Sequence, residues 1–267
     1  MEKSELVFVP SPGAGHLIST VELAKHFHEK QQFSITILLI HLKKPSLQSK
    51  TTSYIQSIAA SHPDIRFVNL PYFDLPSNED QNPITFVSLI MEKEKPHVKE
   101  AIKTLSLPSS SSSSSSSTPV AALILDLFAT TMIDVGVELS IPTYIYYTSG
   151  LGSLGFMLHL PTLDVKIPCE YKDYQGEVEV PSMSPFPVFV LPHPMMNKKD
   201  DEYTWYVYHG RRFREAKGLI VNTFAELEPK ALQAVFPAHT LDDWISLPEA
   251  KSEYPGHPFT FMIVAQR

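Results

Sequence analysis

The stretch ELVFVPSPGAGHLISTVELAKHF, Glu5 to Phe27, changes character twice within 23 residues. It opens as a short apolar run, Leu6 to Pro10, of the length and composition of a buried strand. The run ends in four breakers, Pro10, Pro12, Gly13 and Gly15, which stop any regular element. Beyond them Leu17, Val21, Leu23, Ala24 and Phe27 recur at helical spacing. The prediction is a strand, a tight turn and an amphipathic helix, with His16 at the mouth of the helix.

Working outward, FSITILLI (Phe33 to Ile40) is a continuous β-branched run, as expected for a strand covered on both faces by helices. The three segments make a βαβ unit. The alternation continues with a weakly helical TSYIQSIAASH and a strand at IRFVNLP (Ile65 to Pro71). Next come a helix at PITFVSLIMEKEKPHVKEAIKTL carrying a kink or join at Pro96, and a strand at VAALILDLF (Val120 to Phe128). A helix at ATTMIDVGVELSI and a strand at PTYIYYTSG (Pro142 to Gly150) follow. From Leu163 to Lys199 prolines are frequent and periodicity is lost, which predicts an extended surface excursion. The helical DDEYTWYVYHGRRFREAK, the strand GLIVNTF and the helix AELEPKALQAV close the series. Strands alternating with helices predict an α/β fold, a Rossmann-like parallel sheet with helices on both faces. The tract at 108–118, mostly serine, cannot bury apolar surface and is expected to be an inserted loop.

Of the 267 residues 43% are hydrophobic and 19% charged, enough apolar material for a sizeable core. The net charge of -7 and the absence of a dense Lys/Arg cluster argue against nucleic acid as a partner. One cysteine, Cys169, rules out an internal disulfide framework and suits a reducing compartment. No segment approaches the ~20 apolar residues of a membrane span, and the N-terminal run is too short for a signal peptide. The expected location is the cytoplasm.

The turn PSPGAGH lies at the carboxyl end of the first strand, where ligands bind in open α/β sheets. A dinucleotide fingerprint would need glycine at position 18, which is Ile18, and a phosphate-binding P-loop would need Gly-Lys-Ser/Thr. Neither is present. The glycines permit close approach of a ligand, and the helix N-terminus disfavours a charged ring on His16, leaving it able to accept a proton. A cap or a packing role for His16 fits the pattern equally. Asp126, ending the apolar AALILD, must find a partner or water. If its strand lies beside the first, the carboxylate can orient His16 and stabilise its imidazolium. Asp126 is equally suited to cap the following helix.

Three blocks, FVPSPGAGHLISTVELAK, LILDLFATTMIDVGVELSIPTYIYYTSG and GLIVNTFAELEPKAL, resemble in order the N-terminal half of plant family 1 UDP-dependent glycosyltransferases. The likeness runs from about Glu5 to Val235. It implies the acceptor-binding domain of a GT-B fold at 1–240 and, in a complete enzyme, a second domain that holds the UDP-sugar. It further implies inverting transfer of a sugar, glucose being the expected one, to a hydroxyl of a flavonoid or other phenolic metabolite. UDP-sugar serves as co-substrate, with no other cofactor and no metal. By this resemblance His16 is the general base and Asp126 its partner. Gly15, Phe128 and Tyr147 line the acceptor site, and Thr148 contacts the donor sugar. The family's donor signature, Trp-Gln and later His-Cys-Gly-Trp-Asn-Ser, is not found. After Val235 the chain continues as the divergent FPAHTLDDWISLPEAKSEYPGHPFTFMIVAQR, with 241–267 read as a tail. The alternative expectation is therefore a non-catalytic acceptor-binding module, with UDP-sugar a partner only where a donor domain is supplied.

Overall fold

The computed structural model describes residues 4–31, 33–42, 45–71, 82–107, 119–223, 227–235 and 261–265. The serine tract at 108–118 lies outside these residues, as does most of the tail at 241–267. By internal contacts the chain divides into two compact units. One comprises Met1–Gln81 and Phe86–Tyr144, the other Asn82–Thr85 and Ile145–Arg267.

The first unit is built on β1 (Glu5–Val9), β2 (Ser34–Leu39), β3 (Ile65–Asn69) and β4 (Val120–Asp126), hydrogen-bonded in the order β3-β2-β1-β4. The pairs β1–β2, β1–β4 and β2–β3 are all parallel, with Val9 opposite Leu125. Parallel neighbours need crossovers, and helices supply them. These are α1 (Ala14–Gln31), α2 (Pro45–Ser61) and α3 (Pro83–Leu105). Together they form the predicted α/β, Rossmann-like arrangement.

Val7, Phe8, Val9, Ile37, Leu38 and Leu123 are fully buried on the strands, as are Leu23 and Ala24 of α1 and Met91 and Val98 of α3. Each such side chain contributes about 1.5–3 kcal/mol of transfer free energy, which is what fixes the helices over the sheet. Glu5 is also buried, 3% exposed. Its carboxylate accepts from Arg66 at 2.6 Å and from the Thr36 hydroxyl, so three adjacent strands share one satisfied polar cluster.

After β4 a 3₁₀ turn (Thr130–Met132) leads into α4 (Ile133–Leu139). Ser140 ends it in the left-handed conformation, φ 56°, and Ile141 donates back to the Gly136 carbonyl at 2.8 Å. The predicted single helix here is thus split.

In the second unit β5 (Thr143–Tyr147), whose last three residues belong to it, neighbours β8 (Gly218–Asn222). β8 also pairs antiparallel with β9 (Phe261–Ala265), the described part of the tail. Helices α5 (Leu151–Lys166), α6 (Asp201–Arg212) and α7 (Pro229–Val235) complete it, with a short hairpin of β6 (Glu177–Val178) and β7 (Phe186–Pro187) in the proline-rich excursion. That excursion begins after Lys166 and not at Leu163, because α5 continues through Pro161. A proline at 161 gives the Met157 carbonyl no helical donor. Gly210 of α6 comes so close that a Cβ there would lie 2.3 Å from the Met157 oxygen. The crossing of α5 and α6 therefore depends on the missing side chain. At its carboxyl end α5 meets Lys198, whose ammonium donates to the Asp164 carbonyl at 3.0 Å and to that of Ile167.

Candidate active site

The β1–α1 turn is made possible by Gly13, at φ 143°, a conformation side-chain-bearing residues rarely adopt. Its carbonyl accepts from the Leu17 amide at 3.0 Å, closing the first turn of α1. His16 is the third residue of that helix. Because β1 and β4 run parallel with Val9 opposite Leu125, the turn leaves the sheet beside Asp126. The two residues meet there, His16 Nδ1 lying 2.7 Å from Asp126 Oδ2 across 110 positions of sequence.

The Asp126 side chain is wholly buried, while that of His16 is 28% exposed. The other carboxylate oxygen, Oδ1, accepts from the Phe128 amide at 3.1 Å, and the Asp126 carbonyl accepts from the Ala129 amide at 2.8 Å. Of the two roles its sequence position allowed, Asp126 takes that of partner to the histidine, and it also organises the turn after β4. It does not cap α4, whose N-cap Met132 has no side-chain bond. With Nδ1 held by the carboxylate, Nε2 is the nitrogen left to exchange a proton with a ligand.

The electrostatics of His16 differ from the helix-terminus expectation. Burial disfavours its charged form, but the hydrogen bond and negative charge of Asp126 outweigh that, and the pKa lies above the ordinary histidine value. A nearby carboxylate in direct contact acts more strongly than the partial charge of a helix end.

The Phe128 ring stands 5.7 Å from the imidazole, tilted by 57°, and is half-buried. Gly15 is exposed, with open space where a Cβ would point. His16, Asp126, Phe128 and Gly15 thus share one corner of the first unit. A shallow cleft alongside is lined by Pro10, Pro12, Gly13, Leu17, His41 and Ile55.

Tyr147 and Thr148 belong to the second unit. Tyr147 is 3% exposed, its ring edge-on to Phe213 at 5.8 Å and its hydroxyl 2.8 Å from Ser153 Oγ. Burial raises its pKa and keeps the phenol neutral. Thr148 is half-buried, and its carbonyl accepts from Asn222 at 3.4 Å. One residue of this neighbourhood escaped sequence reasoning. Glu228, read there as part of a helix, instead precedes α7 and reaches the first amides of α5. The available signal was a glutamate immediately before Pro229, since proline favours the first position of a helix and places Glu228 at its cap.

Among the described residues no group of three or more His, Cys, Asp or Glu is arranged to hold a metal ion. No helix among them is long and apolar enough to cross a membrane.

No protein-family profile matches the chain. Individual relatives do. UDP-glycosyltransferase 71K2 of Pyrus communis is 44% identical over 236 residues, covering 87% of this chain and 47% of its own length. A putative UDP-glucose flavonoid 3-O-glucosyltransferase of Fragaria ananassa is 39% identical, with 88% and 49% covered. Among solved structures, Medicago truncatula UGT71G1 complexed with UDP-glucose superposes with a TM-score of 0.75 at 36% identity over 89% of this chain and 49% of that one. A UDP-glucosyltransferase of Polygonum tinctorium capable of glucosylating indoxyl gives 0.78 at 32%, over 89% and 50%. The chain spans about half the length of the relatives it matches. By this likeness in sequence and in fold it belongs with the plant family 1 UDP-dependent glycosyltransferases, as a stretch corresponding to about half of such an enzyme.

Proposed function

We propose that the chain carries the acceptor-activating part of an inverting glycosyltransferase that moves a sugar, glucose first among candidates, from a UDP-sugar to the hydroxyl of a flavonoid or other small phenolic. The observation that carries this reading is the His16–Asp126 pair at the carboxyl ends of β1 and β4. A phenol of pKa ~10 is not ionised at neutral pH. His16 Nε2 takes its proton as the phenolic oxygen bonds to the anomeric carbon from the face opposite UDP. The bond from that carbon to the diphosphate oxygen breaks, and its electron pair leaves with UDP. Asp126, anionic and buried, stabilises the imidazolium formed. The raised pKa of His16 makes it a stronger base once deprotonated, at the cost of requiring higher pH to be so. On this reading Phe128 and Gly15 shape the acceptor side of the His16 corner and Thr148 contacts the donor sugar, while Tyr147 is packed against Phe213 within the second unit.

A second reading is an acceptor-binding module that does not itself hold UDP-sugar. Its support is that the family's donor signature does not occur within these 267 residues. Calorimetric titration with UDP-glucose and with a panel of phenols separates the two. Donor binding together with transfer of labelled glucose that His16→Ala abolishes supports the enzyme. Phenol binding with no donor heat supports the module. Transfer that survives His16→Ala overturns the assigned base.

A further inference from the structure

The first amides of any helix lack intrahelical partners. At α5 the N-cap is Gly150, which has no side chain to offer. The acceptors come from 77 residues further along: Glu228 Oε2 receives the Leu151 amide at 2.6 Å and Oε1 the Gly152 amide at 2.8 Å. The Thr223 hydroxyl donates to the same carboxylate. Glu228 is itself held, since its carbonyl accepts from the Leu232 amide at 3.0 Å in the first turn of α7.

The space around the carboxylate is shaped for it. A Cβ on Gly150 would lie 2.7 and 2.9 Å from its two oxygens, and one on Gly152 3.2 Å from Oε1. The backbone of Gly150, at φ -71° and ψ 164°, is open to any residue, so glycine is required there for room and not for conformation. Asn222 meanwhile donates to the Thr148 carbonyl at 3.4 Å. The side chains of Asn222 and Glu228 thus hold the segment from Thr148 to Gly152 at three backbone points. Two consequences follow. The anion-binding end of α5 is already filled by an internal carboxylate, so a diphosphate has no place on it. And Thr148 sits on a turn to which Glu228 and Asn222 are hydrogen-bonded.

We propose that Glu228 is the positioning residue of the β5–α5 turn, its carboxylate fixing the backbone that presents Thr148. That Thr148 meets a donor sugar rests on the glycosyl-transfer reading; the hold on the turn does not. The hydrogen bonds from Thr223, Gly152 and Leu151 overcome the opposing effect of burial and bring the Glu228 pKa below its ordinary value.

The test is amide spectroscopy on the full chain, isotopically labelled. In the wild type the Leu151 and Gly152 resonances are expected to titrate together with a midpoint below the ordinary glutamate value. In Glu228→Gln that titration disappears and both amides exchange with solvent about tenfold faster, the scale of a lost charge-assisted hydrogen bond. Gly150→Ala keeps the carboxylate but displaces it, and it is expected to do the same, while amides in β1 and β4 are unchanged in both variants. Resonances that fail to titrate together, or exchange within twofold of wild type in the variants, overturn the proposal. Should Glu228→Gln not fold, the wild-type titration and Gly150→Ala decide it. Titration with UDP-glucose then addresses Thr148 separately. Weaker donor binding in Glu228→Gln with unchanged phenol affinity supports the link to the sugar, and equal donor affinity overturns that link. If the wild type binds no donor, the glycosyl-transfer reading of this chain falls while the amide result stands.

Discussion

Replacing Asp126 by asparagine keeps the shape of the side chain and removes its charge. The carbonyl oxygen of asparagine can still accept from the Phe128 amide, so the turn after β4 is preserved. What is lost is the charge-assisted bond to His16, made at 2.7 Å by a wholly buried carboxylate. Such a bond contributes about 1.5–3 kcal/mol, less than the ~3–5 kcal/mol of a buried pair broken outright, because no buried charge is stranded. The loss depends on pH. In the wild type the folded-state pKa of His16 is raised, so its stabilising contribution is complete below the ordinary histidine value and disappears as pH rises through the raised one. In Asp126→Asn only burial remains and the shift reverses direction. Denaturant unfolding of both proteins between about pH 5 and 9, with nuclear magnetic resonance titration of the His16 ring, measures both effects. The stability difference should be largest at acid pH within that window and shrink as the wild-type imidazole deprotonates. Parallel stability curves, or an unchanged His16 midpoint, would refute the coupling and with it the assignment of Asp126 as the partner of a base.

Gly210→Ala should destabilise by about 1–3 kcal/mol, because a Cβ would strike the Met157 carbonyl where α6 crosses α5; thermal unfolding checks it, and a neutral result means the helices separate freely. Gly13→Ala forces a side-chain-bearing residue to φ 143° and should cost about 1–3 kcal/mol, or shift the start of α1 and weaken the His16–Asp126 contact, which the His16 titration would report as a fall in pKa. Lys198→Met, which keeps the apolar stem but removes the donor to the Asp164 and Ile167 carbonyls, should cost about 1–3 kcal/mol in denaturant unfolding and speed exchange in the last turn of α5 but not the first.

The first βαβ unit was legible because every level of the sequence agreed. An apolar run of strand length met four breakers, and a clear helical stripe followed. The pairing of His16 with Asp126 was legible for a related reason. Asp126 ends one apolar strand and His16 follows the turn that ends another, and parallel strands bring such ends to one edge of a sheet. Helix α5 was not announced in the same way. Leu151, Leu154, Met157, Leu160 and Leu163 are buried, as are Gly152, Gly155 and Phe156, so apolar residues occupy several faces and leave no polar stripe to set a period. Pro161, a residue that breaks helix interiors, lies within it as well. Glu228 was hidden for a different reason. Its partners are backbone amides 76 and 77 positions away, and a backbone donor leaves no mark on residue type. Beyond the glutamate's place before Pro229, Gly150 and Gly152 carried a trace, as small residues beside the carboxylate.

The two ends of α5 are neutralised by opposite charges, Glu228 at the amino end and Lys198 at the carboxyl end, and both are encoded after the helix. During synthesis this has a temporal meaning. Leu151 leaves the ribosome 77 residues before the side chain that receives its amide, an interval of about 4–15 s at 5–20 residues per second. During it α5 has no α6 to cover it until Asp201 to Arg212 follow, and its amino end stays unfilled until Glu228 does. The nascent chain therefore passes through a window of apolar exposure that opens when α5 emerges and narrows as α6 and then Glu228 follow.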